Sequence, residues 1–234
     1  MPRPAAAAVN GRECVAVIAD MVQSRELKAQ ERRATQLTFS TFLKKINTEF
    51  RKAVLARFVI TLGDECQGIL HDATVLPDLL WRFDEFENRQ LRVGIGRGVL
   101  YTPVGRDAIN IDGPALHRAR ASIERAKKDR LLGGVFEGFG KNHDAVFNGF
   151  ARLLHHHRSN LSNQQRQVVA YLRSGLNQTQ TAEKMGVTKQ AVSLYAARAG
   201  WEAYSEGEQA FKTALGLLQL TQPGDVHEAA RHRA

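Results

Sequence analysis

The sequence predicts an α/β sandwich over residues 13–150 and an all-helical domain over residues 161–220, with a connector at 151–160. Two observations predict this division. Residues 13–19 read ECVAVIA, a continuous apolar run rich in β-branched side chains that is typical of a doubly buried strand. After about Ala151 strand-like runs cease, and the spacing of apolar residues becomes helical. The two patterns belong to different fold classes, so we expect two domains.

Strand and helix patterns alternate through the first domain, which favours an α/β sandwich over a bundle or a barrel. Strands at 57–62 and 66–70 flank the turn Gly63-Asp64-Glu65 and predict a hairpin. The remaining predicted elements are a helix at 25–57, a helix at 78–87, a strand at 91–100, a loop at 102–112 and a helix at 114–128.

Composition excludes several classes of protein. The chain has 234 residues with 33 Lys+Arg and 24 Asp+Glu, a net charge of +9 that suggests a polyanionic partner. A hydrophobic content of 43% excludes a mostly disordered chain. Two cysteines, Cys14 and Cys66, are too few for a secreted disulfide framework, so we expect a cytoplasmic, bacterial-type protein. No apolar run approaches the roughly 20 residues that span a bilayer, and residues 1–12 and 221–234 read as flexible tails.

Residues 161–201 follow the pattern of three short helices. Ser162 is a good N-cap for the first, and a second helix is expected from Gln178 to Met185. Gly186 then permits a tight turn before Thr188 caps a third helix. This arrangement predicts a helix-turn-helix and resembles that of sigma-factor and LuxR-type regulators. The alternative is a helical hairpin that serves only packing.

The charge of this segment favours DNA as the partner. Between Ala151 and Trp201 seven basic residues accompany one acid, a net charge of +6. The start of a recognition helix reaches base edges in the major groove, and Gln190 could pair with adenine there. The candidate DNA contacts are Thr188, Lys189, Gln190, Ser193, Arg198 and Lys184, with Arg198 on the phosphate backbone. We expect a homodimer that reads two half-sites of double-stranded DNA and associates with the nucleoid when bound.

Two short patterns in this half of the chain admit simpler interpretations. The helical spacing after Trp201 predicts a helix that either packs back on its own domain or forms a dimer contact. The run His155-His156-His157 reads as a solvated helix end, because a metal site needs matched ligand geometry.

Two aspartates follow or join predicted strands in the first domain. Asp20 comes directly after a buried strand, where a carboxylate needs a partner or a cation, and Asp64 lies at the hairpin tip. If the two strands are neighbours, both carboxylates converge on one spot. Carboxylate oxygens are ligands that Mg²⁺ or Mn²⁺ prefers, so the pair predicts a metal that holds a polyphosphate. The alternatives are Asp20 as an N-cap and Asp64 as a turn residue.

The helix at 114–128 is basic and begins after Gly113-Pro114, so its free N–H groups could meet a phosphate. A solvated basic helix is the alternative. The alternating glycines Gly94, Gly96 and Gly98 would let a helix or a ligand approach the strand closely.

The motifs IADMVQSRE, TLGDECQG, RVGIGRG and DGPALHRAR resemble the palm-type domain of class III nucleotide cyclases, and resemble more closely the SatD family, in which such a domain is joined to a C-terminal helix-turn-helix. The resemblance implies a palm-like sheet with helices on one face. It implies Asp20 and Asp64 as metal ligands. The ligand-binding residues that it implies are Met21, Val22, Gln23, Ser24, Gly63, Glu65, His117, Arg118 and Arg120.

The chain departs from the cyclase pattern at four positions. Ile60 replaces a purine-reading lysine, Gln23 replaces a glycine of the phosphate turn, and His117 and Ala121 replace an Asn and an Arg. These departures affect purine selection and transition-state stabilisation more than metal–nucleotide binding. We therefore expect a DNA-binding regulator that senses a nucleotide-type ligand. The alternatives are an active metal-dependent cyclase or nucleotidyl transferase, and an adaptor without a ligand.

Overall fold

The computed structural model of the chain describes residues 10–23, 28–86 and 90–218. Both predicted tails extend outside these residues, as does Ser24. The strands are β1 (Asn10–Met21), β2 (Val54–Leu62), β3 (Glu65–Leu70), β4 (Leu91–Leu100) and β5 (Val135–Glu137). The helices are α1 (Ala29–Glu49), α2 (Leu76–Asp84), α3 (Pro114–Lys128), α4 (Lys141–Ser159), α5 (Asn163–Arg173), α6 (Gln178–Met185), α7 (Lys189–Arg198) and α8 (Trp201–Leu217).

The five strands form one mixed sheet in the order β2-β3-β1-β4-β5. The apolar strand β1 lies at its centre, antiparallel to β3 and β4, and β5 runs parallel to β4. The hairpin of β2 and β3 and the bounds of β4 and α3 agree with the sequence prediction. Residues 10–12 belong to β1 and not to a tail. The sequence did not reveal β5, because three residues are too few to show a period of two.

Helices cover both faces of the sheet, so the expectation of helices on one face is wrong. Val15 and Val17 face a core shared with α1 and α2, whereas Ala16 and Ile18 face α3. Successive side chains of a strand point to opposite faces, and every one of these residues is apolar. Such a strand is stable only when both of its faces are covered.

Helix α3 packs closely on β4, in a direction set by three glycines. A Cβ atom at Gly96 would lie 2.2 Å from the backbone nitrogen of Ala119, and one at Gly98 would lie 2.9 Å from that of Ala115. The alternating glycines therefore admit a helix and not a ligand. Since Gly94 lies against Ala119 and Gly98 against Pro114, α3 begins at the end of β4 and finishes beside its start.

The helical part of the chain packs on the α/β part without a linker. Residues 151–159, predicted as most of a connector, form the second half of α4. Phe136 of β5, Phe147 of α4 and Phe211 of α8 join one continuous hydrophobic core. Helix α8 therefore packs within the chain, but chiefly on α4 and on α2 with the short turn that precedes it, and less on its own predicted domain at 161–220. Among the described helices, none is both long and apolar enough to cross a membrane.

The histidine run is not the solvated helix end that the sequence predicted. The Nδ1 atom of His155 lies 3.1 Å from a carboxylate oxygen of Asp84 in α2. The Nε2 atom of His157 donates a 2.6 Å hydrogen bond to the carbonyl of Ala199, and its ring stacks on Tyr204. His156 alone of the three is exposed. Two of the histidines thus hold α4 to its neighbours.

Candidate functional site

The two predicted carboxylates come together where β1 and β3 lie side by side. Asp20 is the penultimate residue of β1, and its register partner in β3 is Glu65. The backbone N–H of Met21 donates a 3.2 Å hydrogen bond to the carbonyl of Asp64 in the hairpin turn. Asp20 and Glu65 are only 8% and 4% exposed. Glu65, which the resemblance implied as a ligand contact, is thus a third carboxylate of the cluster.

Basic side chains from β4 and α3 face these carboxylates. Arg92 lies 3.5 Å from one oxygen of Asp20, and Lys127 lies 3.6 Å from the other. Arg120 donates two hydrogen bonds, of 2.5 and 2.7 Å, to the two oxygens of Glu65. Three acids, counting Asp64, thus stand beside three bases. The acidic cluster is balanced by the protein's own cations.

Burial raises the pKa of Asp20 above its ordinary value. The positive charge of Lys127 acts to lower that pKa, and the neighbouring Asp64 carboxylate acts to raise it further. The net direction is upward because the ion pairs compensate only part of the lost hydration. Asp20 and Asp64 are therefore close enough to feel each other's charge.

The arrangement does not fit the predicted divalent metal. Both oxygens of Asp20 already face a protein cation, so Mg²⁺ or Mn²⁺ would have to displace Lys127 or Arg92. Within the part of the chain that is described, no three His, Cys, Asp or Glu side chains are grouped so as to hold a metal ion. The metal remains a prediction from the sequence.

Two backbone donors at and just after the end of β1, in the segment predicted to bind a phosphate, are already in use. The N–H of Met21 bonds to Asp64, and the N–H of Val22 donates a 2.9 Å hydrogen bond to the carbonyl of Gln90. Gln23 has φ +57°, the left-handed region that favours glycine. This is the position at which the resemblance implies a glycine, and the backbone has the conformation that glycine favours. Gly63, also predicted as a ligand contact, is exposed in the hairpin turn, where its carbonyl accepts from Gln36.

Of the three α3 residues expected at the ligand, only Arg120 reaches the carboxylates. His117 lies ten residues before Lys127, about 15 Å along the helix axis, and bonds to the exposed Asp112 at 2.7 Å. Arg118 donates a 2.6 Å hydrogen bond to the carbonyl of Arg97. The N-terminus of α3 lies at the far end of β4 from Asp20. The predicted contact between this helix start and a ligand held by Asp20 is therefore not formed.

The helices α5 and α7 begin after the predicted caps Ser162 and Thr188, and α6 has the predicted bounds. The side chains of Ser162, Asn177 and Thr188 accept hydrogen bonds from Gln165, Gln180 and Ala191 N–H groups at the three helix starts. Gly186 has φ +65° in the turn between α6 and α7. The helices share a small core, which consists of Val168, Ala182, Val192 and Ala196.

The six predicted DNA contacts are all exposed. Lys189, Gln190 and Ser193 lie on α7, which buries Val192 and Ala196 against its neighbours. The exposed set also includes Thr188, Lys184 and Arg198. The hydroxyl of Thr188 accepts a hydrogen bond from the Ala191 N–H group and so caps α7.

Two of the seven basic residues in the segment face the protein interior instead. Arg158 is 4% exposed and donates a 2.7 Å hydrogen bond to Asp84. Arg173 lies 2.9 Å from Glu208 and also pairs with Asp78. The guanidinium of Arg173 lies over the ring of the buried Trp81, 4.8 Å from its centroid. The charge of +6 counted from the sequence therefore overstates what this surface presents to a partner.

No local sequence pattern reveals this network between α2, α4, α5 and α8. Its acids lie far along the chain from its bases, and no local pattern pairs them. The one signal was indirect. Trp81, Asp84 and Asp78 belong to a single amphipathic helix whose apolar face needs a partner.

The SatD family model matches residues 14–204 of the chain. Among solved structures, the chain is similar to a microbial GGDEF domain described with cyclic di-GMP, at 21% identity and a TM-score of 0.37, over 56% of this chain and 81% of that one. It is also similar to a regulator of polyketide synthase expression from Bifidobacterium adolescentis, at 15% identity and a TM-score of 0.27, over 89% of this chain and 80% of that one. Neither structural likeness is strong enough to carry an argument. No curated protein matches the sequence.

Proposed function

The chain belongs to the SatD family, and on that premise we propose that it is a DNA-binding transcriptional regulator whose α/β part senses a nucleotide-type ligand. The observation that carries the proposal is the outer face of α7. This face begins with Lys189 and Gln190, both exposed, and it follows a tight turn from a second short helix. A helix presented in this way matches the recognition helix of a helix-turn-helix.

The chemistry of this face suits a duplex groove. Gln190 offers the paired amide donor and acceptor that match an adenine edge, and Lys189 suits guanine or a phosphate. Lys184 lies on α6 and Arg198 is the last residue of α7. Both are exposed and would contact the phosphate backbone, and such contacts position the protein without reading sequence. No acidic residue lies within α7 itself. These features support a role in binding DNA in preference to a role in packing alone.

A selection experiment with random duplex DNA tests the proposal. The wild-type protein should enrich one sequence, and the double variant Lys189→Ala, Gln190→Ala should lose binding to it in a gel shift. Lys45→Ala, which removes one exposed positive charge from α1, is the matched control and should bind like wild type. An unchanged gel shift in the double variant would refute the assignment of α7.

We also propose that the regulator acts as a homodimer, because helix-turn-helix proteins commonly read two half-sites about one helical turn apart. The selected sequence should then contain an inverted repeat. Sedimentation of the protein with and without that DNA would measure the stoichiometry. A single half-site bound by one chain would contradict the dimer.

An active nucleotide cyclase or nucleotidyl transferase is the second candidate, and the adjacency of Asp20 and Asp64 favours it. The pairing of Asp20 with Arg92 and Lys127 counts against it. Incubation with each nucleoside triphosphate and Mg²⁺ or Mn²⁺ separates the two functions. A new product that disappears in Asp20→Ala would support the enzyme. Binding of nucleotide without turnover would support the sensor.

A further inference from the structure

A cleft of about 890 Å³ lies between the α/β part and the helical part. One wall comes from the end of α2 and the start of β4, and the other from the end of α4 and from α5. This volume is within the range of roughly 300–1,000 Å³ typical of small-molecule sites, which often lie where two parts of a protein meet. None of the residues that line the cleft belongs to the cluster of Asp20, Asp64 and Glu65 with its basic partners.

Among the described residues that line the cleft, one cation has no carboxylate partner. Asp84 is held by His155 and Arg158, and Glu85 pairs with Arg82 at 2.7 Å. Arg166 donates a 3.0 Å hydrogen bond to the carbonyl of Arg158, a neutral acceptor. Among the described residues no carboxylate lies within ion-pairing distance of Arg166. The cleft therefore presents a guanidinium suited to an anionic group such as a phosphate.

The rest of the lining is suited to a flat, partly apolar group. Phe86 and Leu91 are largely buried and present one edge each to the floor of the cleft, and the half-buried Ala170 continues this apolar floor across α5. Gln90 and Gln167 supply amide donors and acceptors at the rim. An aromatic base would contact the apolar floor, and its polar edge would meet the amides.

We propose that this cleft is the binding site for the sensed ligand, a mononucleotide whose phosphate pairs with Arg166 and whose base lies against Phe86 and Leu91. The inference rests on the proposed regulatory function and moves the ligand away from the Asp20–Asp64 cluster. A ligand here contacts both walls, and α5 packs on α6 and α7. Binding that favours one separation of the walls would thereby change the position of the DNA-reading helix.

The test uses fluorescent N-methylanthraniloyl derivatives of ATP, GTP, AMP and GMP, titrated into the full chain and followed by anisotropy. Arg166→Gln should weaken the best binder about tenfold or more, the loss of one charge-assisted contact. Gln167→Trp, which fills the cleft from an exposed position, should also weaken it. Arg152→Gln removes an exposed charge from α4 outside the cleft and should bind like wild type. Circular dichroism melting curves confirm that each variant is folded.

The variant Asp20→Asn distinguishes binding in the cleft from binding at the Asp20–Asp64 cluster. If the nucleotide binds in the cleft, this variant should have the nucleotide affinity of the wild type. The proposal is overturned if Asp20→Asn weakens binding while Arg166→Gln and Gln167→Trp do not, or if the wild-type chain binds none of the four nucleotides. Inorganic phosphate should compete far less well than the unlabelled nucleotide, and equal competition would reduce the site to a phosphate site and refute the assignment of the base. The gel shift on selected DNA without nucleotide is independent of these outcomes. Retained DNA binding would show that the regulatory function stands even where the cleft assignment fails.

Discussion

Asp20 shows how a buried charge acquires partners. A carboxylate that ends an apolar strand loses hydration and needs a counter-charge, which the sequence makes clear. The sequence does not show that Arg92 and Lys127 supply it, since both lie far along the chain. The cyclase resemblance suggested a metal at this position, where the structure places two of the protein's own cations beside Asp20.

The raised pKa of Asp20 leads to a prediction about Asp64. Because the Asp64 carboxylate contributes to raising it, Asp64→Asn should lower the pKa of Asp20 toward its ordinary value. Carbon-detected NMR titration of the aspartate side chains measures this. Asp112→Asn, at the far end of α3, is the control and should leave Asp20 unchanged. An unmoved Asp20 resonance in Asp64→Asn would show that the two carboxylates are not neighbours.

The sign of the accompanying pH dependence follows from the direction of the shift. Between the ordinary aspartate pKa and the raised value, folded Asp20 keeps a proton that the unfolded chain has lost. The free energy of unfolding contributed by this group therefore falls as pH rises through that interval. Asp20→Asn should abolish this component in urea unfolding curves recorded across acidic pH.

The helices and strands that carry strong local signals were predicted well. Strand β4 and helix α3 have the expected bounds, and α6 begins and ends as its cap residues indicate. The failures have local causes too. Strand β5 is too short for a visible period, and the predicted connector has helical spacing that continues the pattern of α4.

The substitution Gly186→Ala tests the turn between α6 and α7, and Gly149→Ala in α4 is its control. Gly186 has φ +65°, so Gly186→Ala forces a side chain into the left-handed region and should reduce the free energy of unfolding by about 1 kcal/mol. Gly149 lies inside α4, and a Cβ atom there meets nothing within 4 Å. Gly149→Ala should therefore increase stability by about 0.5–1 kcal/mol. Urea unfolding measures both, and equal effects of the same sign would contradict the turn geometry.

The contact between the two halves of the chain depends on an ion pair that no local pattern reveals. Arg158 is almost fully buried and pairs with Asp84 of α2. Burial acts to raise the pKa of Asp84, but the hydrogen bond from His155 and the charge of Arg158 together lower it. Its stabilisation is therefore present at neutral pH and is lost as pH falls through the lowered pKa.

Breaking this pair should be costly. Asp84→Asn leaves the buried Arg158 guanidinium without a counter-charge and should reduce the free energy of unfolding by about 3 kcal/mol. Glu49→Gln breaks an ion pair with Arg82 in which both side chains are 41% exposed, and should cost less than about 1 kcal/mol. Urea unfolding at neutral pH compares them. Similar costs for the two variants would mean that Arg158 is solvated in solution.

The distribution of charge over the molecule predicts the salt dependence of DNA binding. Each phosphate contact made by a basic side chain contributes about 0.9 to the slope of log affinity against log salt concentration. Lys189→Ala and Lys184→Ala should each reduce the slope by about that amount, whereas Lys45→Ala should not. The measurement is a gel shift on the selected DNA over a range of salt concentrations. If neither Lys189→Ala nor Lys184→Ala changed the slope of log affinity against log salt concentration, DNA would bind on a surface other than that of α6 and α7.

Local chemistry determined much of this protein from the sequence. Apolar periodicity set most of the strands and helices, and caps set the starts of α5 and α7. The pairing of β1 with β3, which the sequence left conditional, brings Asp20 and Asp64 together. Packing decided the rest, because it depends on residues that are distant in the chain. It directed the start of α3 away from Asp20, and it turned Arg158 and Arg173 inward toward Asp84, Asp78 and Glu208. Which charges remain for a partner is therefore a property of the folded chain.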